Sequence, residues 1–260
     1  MYFYKIIFDS IWPFKIKYSQ MQLWQTKNGT NIYQVLNGRS NSYLISTPKW
    51  NFLVDTGKES AYKKLRKMIE SLNLEHSKID GIILTHTHYD HCQNAYWIKE
   101  HNKCKIWVGW KEAECALLGY SPLPKGTFGI TKIISKLGNL IGKRIFGFEP
   151  FIPDEFISLD STLIKDELNI RLILTQGHSI GSVSVVVDDE IALVGDAMIG
   201  TLKKSIFPPF ADDVNEMIKS WGKLLKTDCD TFLPGHGKEI SRELLQSEYN
   251  KYIQTITVPA

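Results

Sequence analysis

Long apolar runs, paired cysteines and any strong excess of charge are missing from this chain of 260 residues. No stretch approaches the length needed to span a bilayer. The apolar start (Tyr2, Phe3, Tyr4, Ile6, Ile7, Phe8) is interrupted by Asp9 and followed by no small-residue cleavage site, so no export signal is expected. The four cysteines, Cys92, Cys104, Cys115 and Cys229, form no C-x-x-C pair. That argues against a zinc knuckle or a disulfide framework and for reduced thiols in a cytoplasmic protein. Cys92 directly follows His91, and it is expected to pack inward rather than ligate. A formal charge of +3 is too small to argue for a nucleic-acid partner, and none is expected. Histidine is scarce, with seven residues in the whole chain. No fixed-period repeat or low-complexity linker appears, so 1–260 is read as one domain.

Hydrophobic content of 43% and charged content of 23% are ordinary for a chain with a sizeable core. Residues 1–30 are aromatic-rich and read as edge strands. Ile32–Leu36, Ser42–Ser46 and Asn51–Val54 are short strands separated by Asn37-Gly38 and Pro48-Lys49 turns, the last ending in Asp55-Thr56-Gly57. Tyr62, Leu65, Ile69 and Leu72 keep helical spacing across 59–72. A buried strand over 78–84, a helix over 92–100, a strand at 105–108 and a helix near 110–118 follow. Strands then run at 156–159, 162–164, 169–174, 182–187 and 191–194. Helices over 212–226 and 241–253 flank a strand at 231–233. Alternating strands and helices predict a layered α/β sandwich.

The chemistry centres on Thr85-His86-Thr87-His88-Tyr89-Asp90-His91, where three imidazoles and a carboxylate fall within six positions at the end of an apolar run. His86 and His88, two residues apart, point to one side of an extended segment, and Asp90 and His91 lie further round the turn. Such crowding suits zinc, iron or manganese and makes little sense without a metal. His178 in Gly177-His178 and His236 in Gly235-His236-Gly237 also sit where strands end, and a metal pair lacks enough ligands without them. His76 and His101 read as surface residues.

With Val54-Asp55-Thr56-Gly57, Gly177-His178-Ser179, Gly195-Asp196 and Pro234-Gly235-His236-Gly237 in the same order, the chain resembles the metallo-β-lactamase fold superfamily of hydrolases from about Asn31 to Ile240. The resemblance implies a four-layer αββα sandwich with a dinuclear site at one edge. It implies that His86, His88 and His178 hold one metal, that Asp90, His91 and His236 hold the other, and that Asp196 bridges them. Asp55 would orient the ligands from behind. The expected cofactor is two Zn2+, with iron or manganese as alternatives. The expected reaction is attack of a bridging hydroxide on an ester, lactone or thioester carbonyl. Asp90 and Asp196 are the expected catalytic carboxylates, Asp90 as a proton carrier. Alternatives are a mononuclear iron oxygenase like the persulfide dioxygenases, or a phosphodiesterase. β-Lactam-cleaving branches tend to be exported and to lack the bridging Asp. Acyl-homoserine lactonases add a Tyr after that Asp, and none lies between Asp196 and His236. Glyoxalase II carries a helical C-terminal extension that is not expected after His236.

Residues 120–158 break the rhythm and are too long for an ordinary connection, so they are read as a helical lid that selects a small-molecule substrate. Ile130, Ile133, Ile134, Leu137, Leu140 and Ile141 repeat at helical spacing, and from Tyr120 to Phe148 there are lysines and an arginine but no acidic residue. The lid would suit a hydrophobic or anionic group. A homodimer contact or peripheral membrane contact is the other expectation for the same stretch.

Overall fold

The computed structural model describes residues 21–74, 78–165 and 168–256. The segment 1–20, read above as part of an edge, lies outside the described residues, as does His76. Strands β1 (Leu23–Gln25), β2 (Asn31–Leu36), β3 (Ser42–Ser46) and β4 (Asn51–Val54) form an antiparallel meander. Helix α1 (Tyr62–Glu70) carries the chain to β5 (Gly81–Ile83), parallel to β4. Helices α2 (Tyr89–Cys92) and α3 (Ala95–Asn102) lead to β6 (Lys105–Gly109), again parallel. Helices α4 (Ala113–Leu118), α5 (Gly129–Ile141) and α6 (Lys143–Phe146) precede β7 (Glu155–Ile157), which closes a seven-stranded sheet. The second sheet takes β8 (Ser161–Lys165), β9 (Leu168–Leu174), β10 (Val183–Val187) and β11 (Ile191–Gly195) as antiparallel neighbours. Helix α7 (Val214–Leu224) crosses to β12 (Thr231–Pro234), parallel to β11, and β13 (Ile240–Ser241) and α8 (Arg242–Ile253) follow.

Period-two alternation decides which side chain joins which layer. Ile32, Ile45, Phe52 and Val54 from the first sheet meet Ile170, Leu172, Val183, Val185 and Leu193 from the second, making the core between sheets. The intervening Leu44 and Leu53 face the other way and pack with Leu65 of α1 and Ile98 of α3. In the second sheet, Ile173, Val186, Val194 and Phe232 turn outward onto Met217, Ile218, Trp221 and Leu224 of α7. Each face of each sheet is thereby covered, giving the expected αββα order. The Asp213 side chain accepts from the Glu216 N–H and so satisfies a donor at the start of α7.

Around the histidine cluster, two elements differ from the sequence reading. The strand expected over 78–84 is ordered as a ladder only at Gly81–Ile83, so His86 stands beyond the strand rather than on its tail. The helix expected over 92–100 is two helices, and Asp90 and His91 lie on the first, not in a loop. Asn94 divides them because its side-chain NH2 donates to the carbonyls of Thr56 and Lys58, tying the turn to the β4–α1 connection. Cys92 is buried, as expected, but ends its short helix instead of starting a long one.

Candidate metal centre

Five strands, β4, β5, β9, β11 and β12, end at the same edge of the sandwich, and the segments after them carry Asp55, His86 to His91 (the last of these on α2), His178, Asp196 and His236. His86, His88 and His178 bring one ligating atom each to within 4.8 Å of one another; so do His86, His91 and Asp196, and so do Asp90, His91 and His236. All seven residues named from the sequence are brought together. Asp196 lies centrally: its carboxylate is 3.6 Å from His178 Nε2, 3.2 Å from His236 Nε2 and 3.5 Å from His91 Nε2. His101 is exposed, as expected.

Hydrogen bonds on the outer ring nitrogens turn the inner ones to the centre. His178 Nδ1 donates to the Phe210 carbonyl at 2.9 Å, His236 Nδ1 to the Arg39 carbonyl, and His91 Nδ1 to Asp55 Oδ2 at 2.8 Å. The first of these leaves Nε2 of a neutral His178 as an inward lone pair, 3.0 Å from His88 Nδ1. Asp55 does not belong to any of the ligating groups; it also accepts from the Thr85 N–H and hydroxyl at 2.8 Å each. It therefore ties the strand end before the His cluster to the His91 ring. Asp55→Ala is expected to weaken metal binding by about 10–100-fold while leaving the fold intact, measured by competition with a chelating dye. Unchanged affinity would remove Asp55 from any orienting role.

Burial brings His88 and His178 down to about 4 and holds His86 well below its usual value, helped there by His91 and His88 alongside. These three rings are neutral at pH 7, with lone pairs ready to donate. Burial would lower His91 too, but the Asp196, Asp55 and Asp90 carboxylates outweigh it and hold that ring at about 10. Burial would raise Asp90 and Asp196, yet both stay below the usual carboxylate range because imidazoles surround them, with Arg39 adding to Asp90. Two buried atoms carry no hydrogen bond, although Asp196 Oδ1 faces His91 Nε2 at 3.5 Å. His86 Nε2 and Asp196 Oδ1 are buried without a hydrogen-bond partner among the described residues. A buried lone pair with nothing to accept is costly, and a cation between them removes the cost. The donor set of imidazole nitrogen and carboxylate oxygen fits zinc, iron or manganese.

Two glycines admit this crowding. Gly195 adopts φ 51°, which places Asp196 at the end of a bulged strand. A Cβ on Gly235 would come 2.3 Å from Asp196 Oδ1 and 2.6 Å from His91 Cε1. Gly235→Ala is expected to displace one or both and to cut metal affinity about tenfold or more. Calorimetric titration with the metal is the check, and wild-type affinity would show that the loop relaxes instead.

Two contributors were not legible in the sequence. Glu112 is 3% exposed, and one oxygen accepts from the Thr87 N–H and hydroxyl while the other accepts from the Ser179 hydroxyl and the Gly181 N–H. It clamps the loop of His86 and His88 to the loop of His178. Arg39 reaches Asp90 Oδ2 at 3.4 Å and donates to the Tyr89 hydroxyl at 2.7 Å. A lone acid after a strand and a lone cation in a turn carry no spacing that marks them.

Beside the cluster lies a chamber of about 290 Å³. His88, Asp90, His178, Asp196 and His236 form its floor, and Leu123, Phe128, Ile134, Phe146, Pro209 and Phe210 are among its walls. Residues 120–158 thus supply a large part of its apolar lining. Asp90 and Asp196 are the carboxylates on it among the described residues, and Arg39 is the cation.

Residues 36–236 match the Metallo-beta-lactamase superfamily. A probable metallo-hydrolase of Methanocaldococcus jannaschii is 30% identical over 206 residues, 76% of this chain and 88% of that protein. A beta-lactamase-like protein 2 homolog of Drosophila melanogaster is 25% identical over 216 residues, 81% of this chain, and the match spans 62% of the fly protein's length. The crystal structure of a subclass B3 metallo-beta-lactamase of Bradyrhizobium japonicum superposes with a TM-score of 0.65 at 18% identity, covering 87% of this chain and 89% of that one. An archaeal superfamily protein of Sulfolobus tokodaii gives 0.57 at 20% identity, covering 85% and 84%. These structural likenesses show the fold; with the sequence match across the ligating loops, the chain belongs to the metallo-beta-lactamase superfamily.

Proposed function

We propose that the chain is a hydrolase that works with two zinc ions and cleaves an ester, lactone or thioester in a small molecule bearing an apolar group. The observation that carries this reading is an apolar chamber whose floor is the ligating cluster. In this reading His86, His88 and His178 would hold one cation and Asp90, His91 and His236 the other, with Asp196 shared by the two groups. A bound cation pair would supply Lewis acidity and a water ionised near neutral pH. Asp55 and Glu112 fix the rings and loops so that the donors need no rearrangement on loading. The walls of Leu123, Phe128, Ile134 and Phe146 exclude water and accept the apolar group, with 120–158 acting as the lid. Arg39 and Tyr89 form the polar spot on that wall, placed to receive a carbonyl or anionic oxygen. Asp90, ionised on the floor beside Arg39, is the group placed to take the proton released by the attacking water and to pass it to the leaving atom.

Two measurements test this reading. Metal analysis of the purified protein is expected to give about two zinc per chain. A panel of ester, lactone, thioester and phosphodiester substrates is expected to show turnover of the carbonyl compounds, rising with acyl length up to the capacity of the chamber. About one iron per chain, with oxygen uptake on a persulfide substrate, would replace the hydrolase reading. Turnover confined to the phosphodiester would move the reaction to phosphorus.

A further inference from the structure

Helix α5 is packed inside out. Its buried positions are Thr131, Ile134, Ser135 and Gly138, three of them small or polar. Ile130, Ile133, Leu137 and Leu140 are exposed by 62, 56, 57 and 82%. Steps of three and four residues put these four on one stripe. A helix on the surface of a globular protein ordinarily shows the reverse arrangement, with its aliphatic stripe on the core. The stripe also extends past the helix. Ile145 of α6 and Leu117 and Leu118 of α4 are exposed as well. The end of α4 is tied to α6, which follows α5, because Lys143 Nζ donates to the Leu118 carbonyl and Tyr120 pairs with Gly147. At the other end, Phe128 and Ile130 are exposed and also line the chamber. The exposed stripe of α5 thus starts at residues that also line the chamber wall.

Charge identifies what covers it. Between Tyr120 and Phe148 stand Lys125, Lys132, Lys136, Lys143 and Arg144, and the segment itself holds no aspartate or glutamate, although Asp212 lies beside Lys125. A second copy seated on the stripe would bring two such basic sets together, which like-charge repulsion opposes. An anionic surface is complementary. We propose that this face docks on an anionic lipid bilayer, with the aliphatic stripe at the boundary of headgroups and acyl chains and the lysines on the phosphates. No helix among the described residues is long and apolar enough to cross a membrane, so the contact is one of lying on the surface. The orientation would set the chamber mouth toward the bilayer, from which an apolar substrate enters along Ile130 and Phe128. Docking does not depend on the hydrolase reading, and its test needs no turnover.

The full-length protein is sedimented with phosphatidylcholine vesicles, with and without about a quarter phosphatidylserine. It is expected to partition to the anionic vesicles and not to the neutral ones, and to be released by salt. Leu137→Glu with Leu140→Glu, and separately Lys132→Glu with Lys136→Glu, are each expected to weaken that partition by about tenfold or more. All four side chains lie outside the chamber lining, so thermal unfolding and metal content should stay at wild-type values and certify the fold. No binding by the wild-type protein, or binding unaffected by the leucine pair, overturns the proposal. So does a dimer in sedimentation equilibrium that the leucine pair dissolves while vesicles are ignored, since the stripe is then filled by a second copy. Binding that survives both pairs but vanishes on removal of residues 1–20 overturns it as well.

Discussion

Asp196→Ala is expected to yield a folded chain that retains little metal and almost no hydrolysis. The carboxylate faces three imidazoles at 3.2 to 3.6 Å and stays ionised because of them. Removing it takes away the one negative charge that lies between the two ligand groups. Two cations placed a few ångströms apart would then repel with less to hold them. Turnover is expected to fall by about a hundredfold or more, beyond the 10–100-fold typical of losing an orienting partner. The fold should persist, because Asp196 follows β11 and belongs to none of the three apolar clusters. Metal analysis and circular dichroism on the same preparation separate the two effects. Two metals and near-normal turnover in this variant would sink the dinuclear assignment.

Glu112→Ala is expected to produce the largest loss of stability from a single polar site. Its carboxylate accepts from two backbone N–H groups and two hydroxyls, all buried. Truncation leaves these donors facing a cavity, and each buried unsatisfied group costs about 1–3 kcal/mol. Some will rescue one another, as Thr87 and Ser121 already share a bond, and Ser179 and Ser182 another. A net loss of about 3 kcal/mol or more is therefore expected by denaturant titration. Glu112→Gln keeps one good acceptor and should lose less. Equal losses in both variants would mean that packing, not hydrogen bonding, is what Glu112 supplies.

Much of the fold was legible because its signals are local. Alternation through Ile32–Leu36 and Ser42–Ser46 and the stripe Met217, Ile218, Trp221 and Leu224 determine which side is buried, and the structure buries those sides. The ligating residues were legible for another reason: histidine is scarce here, and five of seven stand where strands end. What escaped depends on distance. Glu112 acts on residues 25 and 67 positions away, and Arg39 on a carboxylate 51 positions away, so no spacing within one element could reveal either. Helix α5 was anticipated from its period, but the period does not tell which way the helix turns. Its aliphatic stripe was read as lining a pocket or as contacting a membrane or a second copy; the structure puts Ile130 and Ile134 on the chamber and leaves Ile133, Leu137 and Leu140 in solvent.

The convergence of five strand ends makes the centre a seam. His86, His88, Asp90 and His91 are attached to the first sheet, whereas His178, Asp196 and His236 hang from the second. Neither half of the chain owns a complete set. The affinity for a cation is accordingly a gauge of how the two sheets sit on each other. A small rotation caused by repacking Phe52 against Val185 or Leu172 would open the ligand spacing long before any strand frays. Substitutions in the inter-sheet core, far from the chemistry and silent in secondary structure, can thus act as affinity variants of the centre.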